Sequence, residues 1–141
     1  MHSVPSARRS MPPPPVVWIH FVAALAALTI GAIQLARPKG TPGHRAIGWT
    51  WAALMAAVAI SSLWIPRFLH FTWIHLFTLV TLVALPLALW NAHRGDVAAH
   101  RRGMRGLYLG GLIVAGVFTL VPGRLLGDFL WRGVWAWTPA G

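Results

Sequence analysis

Four histidines in this chain stand in matched pairs. Trp18-Ile19-His20 opens one apolar run and Trp73-Ile74-His75 opens another. Each run leads to a basic loop, the first carrying His44-Arg45 and the second His100-Arg101. The two intervals differ by one residue. Imidazole pairs on facing helices are what a six-coordinate b-type haem requires: two neutral nitrogens on opposite sides of the iron, in an apolar slot. His20 with His75, and His44 with His100, are therefore the candidate cofactor ligands, and haem b is the candidate cofactor. Loop arginines such as Arg45 and Arg101 would neutralise its propionates.

The same loops suit a second chemistry. Arg45, Arg94, Arg101 and Arg102, with His44 and His100, offer donors to a phosphate, an anionic lipid or a quinone head group. The plainer account gives every one of these residues an ordinary task. His20 and His75 would then be interface residues beside Trp18 and Trp73, and the arginines a topology signal. His70 and His93 have no duplicate and read as surface residues.

Several other chemistries fall on composition. There is no cysteine, which removes disulfides, iron–sulfur clusters and thiolate zinc sites. Asp96 and Asp128 are the only acids, against twelve Lys and Arg. Two carboxylates leave little for calcium, magnesium or paired-carboxylate hydrolysis. Ser61 and Ser62 have no acid near them to complete a hydrolase triad. The Arg94-x5-His100 spacing resembles that of membrane lipid phosphatases, but Met104 stands where an acid is expected. Proton or cation transport usually relies on an intramembrane carboxylate, and the apolar runs hold none. Nucleic acid is rejected as a partner despite the net charge of +10, because the basic residues cluster in short loops flanking apolar runs.

The elements that must position these residues are membrane helices. Of 141 residues 57% are hydrophobic and 10% charged, against about a quarter charged in soluble domains. The spacing predicts an all-α integral membrane four-helix bundle, one domain with spans at about 16–36, 46–65, 71–90 and 104–121. Residues 1–15, basic and proline-rich, form a disordered lead-in. Residues 123–141 form a Trp-rich tail, with Gly127 to Trp137 an amphipathic segment in the membrane interface. Val16 to Ala36 has 21 uncharged residues, enough at about 1.5 Å per residue to cross about 30 Å of hydrocarbon. A signal peptide is the rival for that stretch, but the apolar run continues well past any cleavage site at Ala24-Leu25-Ala26. Arg37 to His44 and Asn91 to Gly103 are expected to be polar loops. Pro86 is expected to kink the third span.

The aromatic residues mark the faces: Trp18, Trp64 and Trp73 on one, Trp49, Trp51 and Trp90 on the other. Small residues mark helix contacts, namely Ala23, Ala27 and Gly31, then Ala52 and Ala56, then Gly106 and Gly110. Two helix pairs of equal topology make parallel repeats. His20 and His75 then share one depth, and His44 and His100 share the other end. Seven basic residues (Arg37, Lys39, Arg45, Arg94, Arg101, Arg102, Arg105) lie on the His-Arg side. Five (Arg8, Arg9, Arg67, Arg124, Arg132) lie opposite. The bias puts the His-Arg loops in the cytoplasm.

The run His93-Arg94-Gly95-Asp96-Val97-Ala98-Ala99-His100-Arg101-Arg102-x-Met104, with His44-Arg45-x-x-Gly48-Trp49, resembles the bacterial family called domain of unknown function 2306. The tail Ala115-Gly116-x-Phe118-Thr119-x-x-Pro122-Gly123-Arg124 looks like one branch of it. The resemblance covers about Val16 to Trp131. One departure is Gly103, where many members place an aromatic before the Met. It implies a four-span protein of the bacterial inner membrane and carries no activity. The functional expectation is an electron-transfer protein binding b-type haem or interacting with quinone through paired histidines. The alternative is a small transporter or a non-catalytic accessory subunit of a membrane complex, with the His-Arg loops touching lipid or anion. The bilayer is the expected partner in either case, with self-association or a membrane partner subunit beside it.

Overall fold

The computed structural model describes residues 14–64 and 73–120, with backbone only at 73–75. All regular structure among the described residues is helical, and no strand occurs there. The first helix, α1, spans Pro15–Ala36 and the second, α2, spans Pro42–Ser62. Both begin on a proline, whose missing N–H costs nothing in a helix's first turn. The third, α3, spans Trp73–His93. The fourth rod begins as α4, Val97–Gly106, passes without a break through a π-helical stretch, Leu107–Val114, and ends as α5, Ala115–Thr119. Helix α1 packs on α2, α2 on α3 and α3 on α4, while the π stretch touches both α3 and α1.

Two of these helices, Pro15–Ala36 and Leu76–His93, are long and apolar enough to cross a membrane. Much of their large apolar surface faces outward: Trp18, Val22 and Leu25 on α1 and Leu79, Val83 and Leu87 on α3 are all more than half exposed. In water that exposure would be unfavourable; against lipid it is not.

The small-residue stripe Ala23, Ala27, Gly31 forms the buried face of α1. Trp51, at 5% exposure, lies against it and donates its indole N–H to the Ala27 carbonyl at 2.9 Å. Trp51 is therefore a core residue, not part of the head-group belt expected for it. It sits two residues from Trp49, which places the two rings on different sides of one helix. Trp49, Trp90, Trp18 and Trp64 are exposed as the belt requires. From the fourth rod Tyr108 lies across α1 too, its hydroxyl donating to the Leu28 carbonyl at 3.2 Å. Met55, Ala52, Leu85, Ala88, Leu107 and Leu112 complete the core.

The glycines correct the expected contacts of the fourth rod. A Cβ on Gly106 or Gly110 would meet nothing within 4 Å among the described residues, so that pair lines no close approach there. Gly103 and Gly111 do instead. A Cβ on Gly103 would lie 2.8 Å from the Ala88 Cβ, and one on Gly111 would meet Met55 and Thr81 at 3.3 and 3.4 Å. Helices α4 and α3 thus meet at Gly103 with no room for a side chain.

The second polar loop is also shorter than expected. Asn91 to Gly103 is mostly helix, interrupted only between His93 and Val97. Asp96 caps α4 by accepting from the Ala99 N–H at 2.9 Å, and Gly95 before it adopts φ +81°. The first turn has the same build. Thr41 caps α2 by accepting from the His44 N–H at 3.1 Å, after Gly40 at φ +83°. Only glycine enters that left-handed region without strain. Polar composition signals exposure, and an exposed stretch with a good cap can still be helix. The lead-in at 1–13, the segment 65–72 with His70, and the tail from 121, with its expected interfacial helix, lie outside the described residues.

Candidate functional site

The two Gly-cap turns meet at one end of the molecule. Between them opens a cleft of about 880 Å³, walled by the C-terminal parts of α1 and α3 and the N-terminal parts of α2 and α4. His44, His100, Arg45 and Arg101 all line it. Gly31, Trp51 and Tyr108 line it among the buried residues, and Pro86, Leu89 and Met104 add apolar wall. Trp49 and Trp90 stand exposed on its lining. Pro86 brings no N–H to bond the Leu82 carbonyl one turn back.

The two imidazoles are held differently. His100 Nδ1 lies 2.9 Å from the Ala88 carbonyl, to which it donates, so a neutral ring keeps its lone pair on Nε2. His44 Nδ1 faces the Gln34 amide nitrogen at 2.7 Å. That nitrogen also donates to the His44 carbonyl at 2.6 Å. The carbonyl contact fixes which end of the amide points here, so His44 Nδ1 accepts and its proton sits on Nε2. Gln34 Oε1 is enclosed and has no hydrogen-bond partner among the described residues. Partial burial, then the nearby charges of His100 and Lys39, hold His44 below its ordinary pKa.

The basic residues divide. Arg45 and Arg101 line the cleft with Lys39 and Arg105, whereas Arg94 and Arg102 do not. Helical phase explains the split. Val97, His100, Arg101, Met104, Arg105 and Tyr108 recur at spacings of three and four, one stripe on one rod. Arg102 lies off that stripe. Reading 91–103 as a loop, separate from a span at 104–121, hides the phase that carries His100 and Arg101 on to Arg105 and Tyr108. Gln34 carried a signal as well: it is the lone amide in the apolar run of α1.

At the other end His20 is fastened to α2. Its Nδ1 lies 2.9 Å from Ser61 Oγ, whose own proton goes to the Val58 carbonyl at 3.1 Å. Nearby, Ser62 Oγ donates to the Ala59 carbonyl and lies 2.8 Å from Thr78 Oγ1. The His75 side chain lies outside the described residues, so the expected pairing with His20 falls there too. No group of three or more His, Cys, Asp or Glu able to hold a metal ion occurs among the described residues.

No curated protein and no solved structure matches the chain. A family model described as "predicted membrane protein (DUF2306)" matches residues 17–130, and the chain belongs to that family.

Proposed function

We propose that this protein is a four-span membrane protein that takes the head group of a membrane-borne amphiphile into the cleft between its two His-Arg turns. His44, His100, Arg45 and Arg101 contact the head, and the aromatic wall contacts the body. The observation carrying this reading is convergence: histidines and arginines from two distant, similarly built turns line one cleft with Trp51 and Tyr108. Ligand sites of this kind are mostly apolar, with a few convergent polar groups, and about 300–1,000 Å³ in size. The paired glycine-cap turns support parallel repeats, α1–α2 and α3 with the fourth rod. The basic-residue bias supports a cytoplasmic opening. Quinone and anionic lipid are the head-group classes in view.

Haem b is the second reading, and one observation favours it. His100 donates Nδ1–H to a backbone carbonyl, the outer contact typical of metal-bound imidazoles. His44 speaks against it, because the Gln34 amide leaves its proton on Nε2. Bis-histidine ligation would need the other tautomer and a turned amide.

Purified protein in detergent separates the two. We expect no Soret band from haem-replete cells, and saturable binding of decylubiquinone or an anionic phospholipid that Arg45→Gln with Arg101→Gln weakens. Binding unchanged in that double variant would leave the arginines as topology signals. A Soret band that shifts with dithionite and is lost in His100→Ala would replace the amphiphile with haem.

A further inference from the structure

The charge on the cleft says more than its shape. Lys39, Arg45, Arg101 and Arg105 line it and, among the described residues, no acid does. Asp96 is occupied in capping α4. Lys39 is occupied too, its Nζ donating to the Leu35 and Arg37 carbonyls at 2.5 and 2.6 Å. The guanidiniums of Arg45, Arg101 and Arg105 have no hydrogen bond or ion pair among the described residues. His44 adds a further donor, since Gln34 leaves its proton on Nε2. The mouth is thus rich in donors and positive charge, and faces an apolar wall.

We propose that the cleft takes a phosphorylated head carrying two or more negative charges, a phosphomonoester or diphosphate, borne on an apolar chain. This rests on the amphiphile-binding reading of the same cleft and narrows it. A quinone presents carbonyl acceptors and no charge, so three guanidiniums would stay uncompensated. A phosphodiester lipid presents a single charge, which any basic patch at a bilayer surface already meets. A terminal phosphate carries about −1.5 to −2 at pH 7 and three acceptor oxygens. It can take paired N–H bonds from two arginines at once, a geometry their planar forks favour. Trp51, Leu89, Met104 and Tyr108 give an attached chain an apolar surface that free phosphate would not use.

The test uses the full chain in phosphatidylcholine nanodiscs with five probes: farnesyl diphosphate, dioleoyl phosphatidate, dioleoyl phosphatidylglycerol, decylubiquinone and inorganic pyrophosphate. Farnesyl diphosphate and phosphatidate are expected to bind at least about tenfold tighter than phosphatidylglycerol and decylubiquinone. Pyrophosphate is expected to bind at least about tenfold more weakly than farnesyl diphosphate, because it lacks the chain. The double variant Arg45→Gln, Arg101→Gln should abolish the preference, while Arg94→Gln, Arg102→Gln should keep it. Equal binding of phosphatidate and phosphatidylglycerol overturns the proposal, as does pyrophosphate binding as tightly as farnesyl diphosphate. A preference surviving in the Arg45, Arg101 variant, or lost in the Arg94, Arg102 control, also overturns it. If decylubiquinone or phosphatidylglycerol binds best and the cleft arginines matter, only this narrowing falls. Saturable binding of no probe removes the amphiphile reading as well.

Discussion

The two His-Arg turns share a backbone and differ in their wiring. Each has a glycine at positive φ, then a capping side chain, then a histidine within the helix's first four residues. The second turn places His100 one residue further from its cap than His44, which matches the longer interval from Trp73. There the likeness stops. His44 is held by a side chain of α1, the Gln34 amide, and His100 by a backbone carbonyl of α3 at Ala88. The same ring nitrogen, Nδ1, accepts in His44 and donates in His100, so at Nε2 one neutral ring keeps an N–H and the other a lone pair. Two similarly built turns therefore line an asymmetric cleft, because the residues that face them differ, Gln34 on α1 and Ala88 on α3.

That asymmetry depends on two close helix approaches, and breaking them gives the largest effects. A Cβ on Gly31 would lie 2.6 Å from Trp51 Nε1 and from the Tyr108 ring. Gly31→Ala must displace a buried indole that is bonded to Ala27. We expect a loss of about 2–3 kcal/mol, read as a lowered melting temperature in detergent. Gly103→Ala pushes on the Ala88 Cβ at 2.8 Å and should cost about 1–2 kcal/mol, partly offset by alanine's helix preference. It should also loosen His100 from Ala88 while leaving His44 in place. Gly110→Ala, with open space around it, is the control and should be neutral or stabilising. If it melts as early as Gly31→Ala, the close approaches are misassigned.

The caps come next in size. Thr41→Ala and Asp96→Ala each remove one side-chain bond to a first-turn N–H, worth about 1 kcal/mol. Asp96 should matter slightly more, since its charge also meets the positive end of the helix dipole. Hydrogen exchange at Ala99 and His44 reads each cap separately. Equal protection in wild type and both variants would show that the turns stand without them.

Much of this fold is legible in the residues, and the failures are instructive. Ala23, Ala27 and Gly31 mark a contact because small side chains four apart let another helix approach. Gly106 and Gly110 have the same spacing and no close contact among the described residues. Spacing locates a stripe but does not say whether a neighbour faces it. Gly103 and Gly111, eight apart, carried no such signal, though they face Ala88 and Met55. Read as loop, the stretch makes Arg94 and Arg102 equivalent to Arg101; helical phase separates Arg102, and Arg94 lies in the turn before α4. The Gln34–His44 contact joins residues ten apart across a turn, which periodicity within one helix does not reveal.

The smallest effect is the most specific to the comparison. In histidine-labelled protein at pH near 8, nitrogen NMR should find the proton of His44 on Nε2 and that of His100 on Nδ1. Gln34→Leu should erase the preference at His44 and leave His100 unchanged. Protonating His44 puts a hydrogen on Nδ1, where the Gln34 amide nitrogen now points; only a half-turn of the amide, bringing in Oε1, would accept it. This adds to the burial and to the charges of His100 and Lys39 that already lower its pKa. The sign follows from proton uptake. As pH falls through the ordinary histidine value of about 6.5, the unfolded chain binds a proton at this position before the folded one does. Stability must then decrease with acid from about pH 6.5 to the lowered folded value, and recover above it. Because His20 and other groups titrate too, the measurement is the difference in melting temperature between pH 7.5 and 5.5, wild type minus His44→Gln. Wild type should lose more on acidification. If it loses less, His44 gains a partner for its charge in the folded protein, and the Gln34 amide faces it the other way round.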